Sequence, residues 1–292
     1  MTIITRPQFK TQRAIDFWDS LSRENSPEHL YSFLGKQTAW DNESSPPPSS
    51  INDEQEIETR TNIFALKRII PSGITFVVPR INWTTGVTYA KYLATDNDLN
   101  EKEFYVITSS YSVYKCIGNN NNSPSTIQPS GTSVIPINTA DGYVWKFMYN
   151  LSSAVILNFL TTSWLPVPFL GQKTAFQNAV ENAAIYQNGS PIRGHGYSAI
   201  NELFCNSIMV TSAFSGSESA VIPTDTSYRQ VGLINNPTLQ SSGLQAEGTV
   251  YSVGDTNSDI NIMSGQLLGF ENSPPVSRSV GQNDTIKIVL SF

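Results

Sequence analysis

The C-terminal residues 285–292 carry the clearest structural pattern in this chain. Ile286, Ile288, Leu290 and Phe292 stand at every second position. Successive side chains of a strand point to opposite faces of its sheet, so these four would share one face. The pattern therefore predicts a strand that ends with the chain and is held by a sheet.

Short apolar runs predict strands at many other positions. From Gly189 onward these runs are separated by Gly, Pro, Asn and Ser, which favour turns. The predicted strands are residues 30–34, 74–78, 104–108, 113–117, 143–150, 207–211, 230–234, 248–253 and 266–270. Residues 109–112 would form a hairpin loop between two of these strands.

A smaller number of segments predict helices, namely residues 8–23, 53–69, 152–161 and 173–186. In the first, Ala14, Phe17, Trp18 and Leu21 have the spacing of one apolar helix face. Asn52 is placed to cap the second. Strands and helices do not alternate as they do around a parallel sheet, so the predicted class is mainly β with a few flanking α-helices.

The composition limits the classes of partner. Charged residues make up 14% of the chain, against about 25% in an average soluble domain. Such a composition suits surfaces that partners cover, and equally a β-rich protein with long neutral loops. The 18 Lys and Arg residues are scattered and the net charge is −6, which argues against binding to nucleic acid. No apolar stretch approaches the roughly 20 residues of a membrane span.

The two cysteines, Cys116 and Cys205, have no metal-binding spacing. The sequence leaves open whether they form a disulfide. Two free thiols in a protein assembled in a reducing cytoplasm is the simpler interpretation.

No residue pattern indicates catalysis, a cofactor or a metal. His29 and His195 have no nucleophile motif beside them. Residues 96–100 and 255–259 begin like calcium-binding loops but lack the required Gly and Glu. We therefore predict that the chain is not an enzyme, and that it has no catalytic, cofactor-binding or metal-binding residues.

Several groups of residues, in one order along the chain, carry a family resemblance. They are Phe17, Trp18, Asp141, Gly142, Tyr143, Trp145, Arg229, Gln230, Asn236, Pro237, Glu271, Asn272, Pro274, Pro275 and Phe292. With these residues the chain resembles the baseplate wedge protein family, known as gene product eight, of T-even-like contractile-tailed phages. The likeness spans nearly the whole chain and is strongest in its last third.

The resemblance implies a β-sandwich body built from both ends of the chain, residues 1–77 and 188–292, with a middle domain, residues 78–187, inserted between them. It also implies a structural role without catalysis, as a homodimer in contact with other baseplate wedge proteins. Such a protein would lie in the tail baseplate of the virion after assembly in the host cytoplasm. The long neutral loops 41–50 and 119–133 would then become ordered against neighbouring proteins.

Two other functions remain open at this stage. A carbohydrate-binding β-sandwich module of a tail or fibre is the first, because tryptophans such as Trp40, Trp83, Trp145 and Trp164 could line a sugar groove. A hydrolase on a β scaffold is the second.

Overall fold

The computed structural model describes residues 7–22, 28–50, 52–93, 95–96, 98–133, 135–168, 203, 205–214, 227–239, 250–252, 262–277 and 284–292. The helices are α1 (Pro7–Ser22), α2 (Asp53–Asn62) and α3 (Ser153–Phe159). Short 3₁₀ turns occur at Pro71–Gly73, Leu99–Glu101 and Asn120–Asn122. The predicted first helix and the helix after residue 152 are confirmed, whereas the helix predicted over residues 173–186 lies outside the described residues.

The prediction of a helix over residues 53–69 is wrong in its second half. The helix ends at Asn62, and the chain continues directly as a strand from Ile63 to Arg68. Ile57, whose spacing to Thr61 and Phe64 would place it on one stripe of such a helix, is 65% exposed. The run that begins at Ile63 is buried at four consecutive positions. Phe64 and Ala65 pack in one core cluster and Ile63 and Leu66 in another, so both faces of this strand are covered.

The strands account for most of the regular structure. They are β1 (Leu30–Gly35), β2 (Ile63–Arg68), β3 (Ile74–Pro79), β4 (Tyr105–Ile107), β5 (Ser112–Asn119), β6 (Ile137–Asn138), β7 (Tyr143–Asn150), β8 (Trp164–Val167), β9 (Ser207–Phe214), β10 (Ser227–Leu239), β11 (Val250–Ser252), β12 (Ile262–Ser277) and β13 (Asp284–Ser291). Each predicted strand has a counterpart here, β4 and β5 form the predicted hairpin, and the mainly β class with flanking helices is confirmed.

The described strands form three antiparallel sheets. A five-stranded sheet has the order β11-β2-β1-β10-β12, and a four-stranded sheet has the order β4-β5-β7-β6. The strands of the remaining sheet are β13, β9, β3 and β8. The segment around Pro166, predicted only as an extended crossing, is strand β8 and pairs with β3.

The chain divides into two compact units. Unit 1 contains Met1–Ala14, Thr75–Ile208 and Ser291–Phe292, and unit 2 contains Ile15–Ile74 and Met209–Leu290. The division into residues 1–77, 78–187 and 188–292 stays a prediction.

Unit 2 is built around β1, whose six residues are all buried. Leu34 packs in a cluster with Phe64, Phe214, Tyr228 and Ile286. Tyr31 and Phe33 pack in a second cluster with Ile63, Leu66, Ile234 and Leu267. Because neighbouring strand side chains point to opposite faces, β1 is covered on both faces. Ile288 packs beside Ile286, so two residues of the apolar face predicted for the C-terminal strand contact this core.

Gly232 allows the second cluster of unit 2 to pack closely. A Cβ atom at this position would lie 2.5 Å from Phe33 Cζ and 2.6 Å from the Gly269 carbonyl oxygen. Both separations are shorter than van der Waals contact, so any larger residue would displace the Phe33 ring or the neighbouring strand.

Unit 1 has an aromatic core on its four-stranded sheet. Trp145 lies at the centre, stacked on Tyr143 with ring centroids 5.4 Å apart and edge-on to Tyr89 at 5.7 Å. Val106, Tyr114 and Cys116 complete the buried cluster. β7 therefore places Tyr143 and Trp145 on a buried face, as the alternation of its sequence predicts.

Candidate assembly site

The segment between β1 and α2, residues 36–52, is fixed to strand β10 by Arg229. The Arg229 guanidinium contacts the Glu43 carboxylate at 2.8–3.0 Å, and its Nη1 donates a hydrogen bond to the Gln37 carbonyl at 2.6 Å. Hydrogen bonds from Arg229 hold the pKa of Glu43 below its usual value. The Arg229 side chain is only 10% exposed, so one nearly buried cation holds two points of this segment.

Strand β12 holds the same segment at two further points. Asn272 Nδ2 donates to the Pro47 carbonyl at 3.0 Å, and Trp40 Nε1 donates to the Ser273 carbonyl at 2.9 Å. Gln230 Nε2 orients Asn272 by donating to its Oδ1 at 2.9 Å. Three residues predicted from the resemblance, Arg229, Gln230 and Asn272, therefore act together on one loop. We call this arrangement the proline-loop clamp.

The loop joins α2 through the predicted N-cap. Asn52 Oδ1 accepts a hydrogen bond from the Gln55 N–H at 2.9 Å, which satisfies a free donor at the helix start. Gln55 Oε1 accepts from the Ser50 N–H at 3.0 Å and not from the Asn52 backbone as a complete capping box would require. This bond fixes the C-terminal end of the loop.

The second long loop, residues 119–133 of unit 1, is held by Asp141. Its carboxylate accepts from the N–H groups of Thr126 at 2.8 Å and Ile127 at 3.0 Å, and from the Ser125 hydroxyl at 3.2 Å. Burial by itself would raise the pKa of Asp141. Hydrogen bonds outweigh this effect of burial and lower the pKa of Asp141 to about 2. They are donated by the Thr139 hydroxyl and by the backbone N–H groups of Ile127, Thr126 and Tyr143. Asp141 is therefore a charged acceptor that orders the loop.

Two tyrosines and a glycine complete this second arrangement. The Tyr143 hydroxyl donates to the Ser123 carbonyl, and the Tyr114 hydroxyl donates to the Gly131 carbonyl at 2.9 Å. Gly142 has a φ of +82°, and a Cβ there would lie 2.8 Å from Asn120 Cγ. The Asp-Gly-Tyr sequence thus supplies the carboxylate, the left-handed turn and the hydroxyl.

Both long loops are therefore ordered by their own chain. The low-complexity sequence of residues 119–133 predicts an exposed loop, and most of these residues are exposed, but Asn119, Ser125 and Pro129 are buried. The side chains that hold the loops satisfy backbone groups that would otherwise be solvated. In each loop, most of the residues that remain exposed are neutral and are held in place by the chain itself.

Comparison with known proteins gives these two loops a context. Residues 116–292, more than half of the chain, match the protein family Phage-Gp8, described as "Bacteriophage T4, Gp8". The chain belongs to the Phage-Gp8 family. It is also similar to the "Baseplate wedge protein gp8" of Enterobacteria phage T4, with 20% identity over 99% of this chain and 97% of that protein.

The other predicted family residues lie at separate places in the Phage-Gp8 chain. Asn236 has a φ of +48° and forms two hydrogen bonds with His29. The Asn236 N–H donates to the His29 carbonyl at 2.8 Å, and Asn236 Oδ1 accepts from the His29 N–H at 2.7 Å. Pro237 follows and is buried. Phe17 and Trp18 are partly buried on α1. The Phe292 N–H donates to the Asn206 carbonyl at 2.9 Å.

Glu271, Pro274 and Pro275 are exposed on β12. This strand lies at one end of the five-stranded sheet. Proline lacks the N–H that a central strand would donate, so a Pro pair is tolerated at such an edge and hinders pairing with a further strand.

The acidic residues that resembled a calcium loop are already neutralised. Lys102 Nζ lies 2.7 Å from Asp96 Oδ2 and 2.9 Å from Asp98 Oδ1. In the described part of the chain, no group of three or more His, Cys, Asp and Glu residues is arranged to hold a metal. His195 and residues 255–259 lie outside the described residues.

A cavity of about 340 Å³ occurs in unit 1, and three of its polar lining residues bond within the chain. Arg80 Nη1 donates to the Thr161 carbonyl at 2.8 Å, and the Tyr105 hydroxyl donates to the Pro79 carbonyl at 2.7 Å. Lys102, another lining residue, pairs with the two aspartates described above. No described helix is long and apolar enough to cross a membrane.

Sequence reasoning missed Glu43, Trp40 and Ser273 as parts of the proline-loop clamp. Glu43 had one usable signal, since it is the last acidic residue before nine uncharged positions. An isolated acid beside a neutral segment suggests a basic partner elsewhere. The sequence gives no indication that this partner is Arg229, which is 186 positions away.

Proposed function

We propose that this chain is a structural subunit of a phage tail baseplate wedge, where it acts as a rigid dimeric spacer in contact with other wedge proteins during assembly and contraction. The observation that carries the proposal is the match to a baseplate wedge protein over 99% of this chain, together with membership of the Phage-Gp8 family. The two matches give no support to the carbohydrate-binding alternative. A role without catalysis is part of the proposal.

The arrangement of the loops supports the spacer role. A spacer transmits force only if its surface segments keep their positions relative to its core. Here Arg229 and Asn272 hold one long loop, and Asp141 holds the other. Close-packed interiors such as the Trp145 cluster resist deformation. Conformational change in the baseplate would then occur at interfaces between such bodies.

The proposed body is a β-sandwich in unit 2. Its support is the cluster in which Leu34 and Phe64 of the five-stranded sheet contact Phe214 and Ile286 of strands from another sheet. Packing of two sheet faces through side chains is the defining feature of a sandwich.

The proposed location is the virion baseplate, after assembly in the host cytoplasm. Cys116 and Cys205 are free and buried. Burial raises the pKa of the Cys116 thiol to about 12 and also raises that of Cys205. Both thiols therefore stay protonated and unreactive, which fits assembly under reducing conditions.

The role is tested by removing the gene from the phage that encodes this chain and supplying the protein from a plasmid. We expect complete baseplates, with density for the chain, only when the protein is supplied. Infectious particles with complete baseplates in its absence would overturn the proposal.

The dimer is tested separately on the purified chain. Sedimentation velocity at micromolar concentration should give a mass near twice 32.2 kDa. A monomer throughout that range would remove the dimer from the proposal and leave the baseplate role intact.

A further inference from the structure

Residues 44–50 form a neutral stretch at the surface of unit 2. They read Ser-Ser-Pro-Pro-Pro-Ser-Ser and contain no charged side chain. Pro47 and Pro48 are exposed, and Pro46 is partly exposed. Proline rings in water with no covering side chain form an apolar surface that another molecule could bury.

The three prolines fix the local conformation. The pyrrolidine ring holds φ near −65°, and each residue before a proline is restricted to extended conformations. Ser45, Pro46 and Pro47 each precede a proline. No cis peptide bond occurs in the described part of the chain. The segment is therefore restricted to the extended, left-handed conformation of a short polyproline helix.

The polyproline segment is held at both ends and in the middle. Glu43 pairs with Arg229 before it, the Pro47 carbonyl accepts from Asn272 within it, and Ser50 donates to Gln55 after it. A flexible ligand loses conformational entropy when it binds, and a ligand already held in its bound shape loses less. The proline-loop clamp thus gives this segment the property that a good binding motif needs.

We propose that residues 44–50 are a preformed polyproline ligand, and that its partner is another baseplate protein with a groove lined by aromatic side chains. This inference rests on the proposed function and names a contact through which it would operate. Flat aromatic rings pack against proline rings, and the N–H of Trp or the hydroxyl of Tyr can donate hydrogen bonds to polyproline carbonyls. The absence of charge in the segment makes a charged groove a poor fit, because the groove charges would be buried without partners.

A second copy of this chain is a less suitable partner. Among the described residues, the aromatic side chains with large exposure are Phe9, at 58%, and Tyr111, at 41%. A polyproline groove uses a series of aromatic walls, which these two rings do not supply.

The test measures binding of the full-length chain to each baseplate protein encoded by the same phage, immobilised for biolayer interferometry. The variant Pro46→Ala/Pro47→Ala/Pro48→Ala removes the rings and should weaken one such interaction by about tenfold or more. Asn272→Ala keeps the rings but frees the Pro47 carbonyl, and should weaken the same interaction by a smaller factor. The matched control Ser44→Ala/Ser49→Ala alters the same loop without touching a proline and should bind as the wild type does.

The outcomes separate the two proposals. If the wild type binds a baseplate protein and the triple proline variant binds it equally well, this inference is overturned and the baseplate role stands. If the wild type neither binds a baseplate protein nor enters the particle, both are overturned. Loss of self-association in place of partner binding would overturn the choice of partner.

A peptide experiment covers the case in which the triple variant does not fold. A synthetic peptide of residues 42–52 should compete with the wild-type chain for the partner, and the same peptide with three alanines should not. Equal competition by the two peptides, or none by either, would contradict the inference.

Discussion

Trp145 offers the sharpest test of the aromatic core of unit 1. Its side chain is fully buried, stacked on Tyr143 and edge-on to Tyr89. Trp145→Ala removes most of a large side chain from a packed interior, which costs about 3–5 kcal/mol of unfolding free energy. Aromatic pairs contribute about 0.5–1.5 kcal/mol beyond area burial, so the loss of two ring contacts places the expected cost toward the upper end of that range.

A conservative variant separates ring packing from hydrogen bonding. Trp145 Nε1 is buried and has no hydrogen-bond partner, and an unsatisfied buried donor costs about 1–3 kcal/mol. Trp145→Phe keeps a ring against Tyr143 and removes this donor, so the gain offsets part of the lost volume. We expect Trp145→Phe to destabilise by about 1–2 kcal/mol, well below the cost of alanine.

The assay is urea unfolding followed by far-ultraviolet circular dichroism, with thermal unfolding as a second measure. A loss of 3–5 kcal/mol corresponds to a fall in Tm of roughly 9–15 °C for a unit of this size. Ile135→Ala is the matched control, because Ile135 is 70% exposed and its truncation should change stability by no more than about 0.5 kcal/mol. If Trp145→Ala unfolded at the wild-type urea concentration, the assignment of Trp145 to the core would be refuted.

Three further predictions concern groups outside that core. Asp141→Asn should lower stability at neutral pH, because the pKa of Asp141 falls from an ordinary 3.8 to about 2 on folding. The contribution of the charged carboxylate to stability is therefore present above pH 4 and is lost as the pH falls through 2, where the melting curves of variant and wild type should converge. A constant difference between the two melting curves from pH 7 to pH 2 would exclude a charge effect. Asn121→Gly should stabilise by about 0.5–1 kcal/mol, because Asn121 has a φ of +54°, which glycine adopts without strain; a lower Tm would contradict this. A thiol reagent should label neither Cys116 nor Cys205 in the native chain, because burial keeps both thiols protonated, and should label both in denaturant. Fast labelling of the native chain would show that one thiol is accessible.

Local patterns predict most of the strands but not their pairing. Alternation marks β7 and β13, and the hairpin of β4 and β5 follows from a short loop between two apolar runs. The break at Asn62 has no such local signal. Residues 63–68 become a strand because β1 and β11 lie on either side, and β11 is more than 180 positions away in sequence. Tertiary context of this kind overrides the helical spacing of a run of apolar residues.

The candidate assembly site shows the same limit at the level of side chains. Asp141-Gly142-Tyr143 acts over short distances, so its turn is readable from the sequence, although the loop that Asp141 holds is not. Arg229 and Asn272 act on residues 37, 43 and 47, which are between 186 and 225 positions away in the sequence. A single sequence shows that these residues are present but not which backbone groups they satisfy.

The ordering of both long loops within the chain changes how assembly should be understood. A loop that orders only on contact with a neighbour loses its conformational entropy at that step, and the interface is weakened by the same amount. A loop that Arg229, Asn272 or Asp141 has already fixed loses that entropy during folding of the single chain. The interface then forms between preformed surfaces, so loosening the clamp should weaken assembly even when no interface residue is changed. Asn272→Ala is the variant that isolates this effect, because the proline rings stay in place while the hydrogen bond that fixes them is lost.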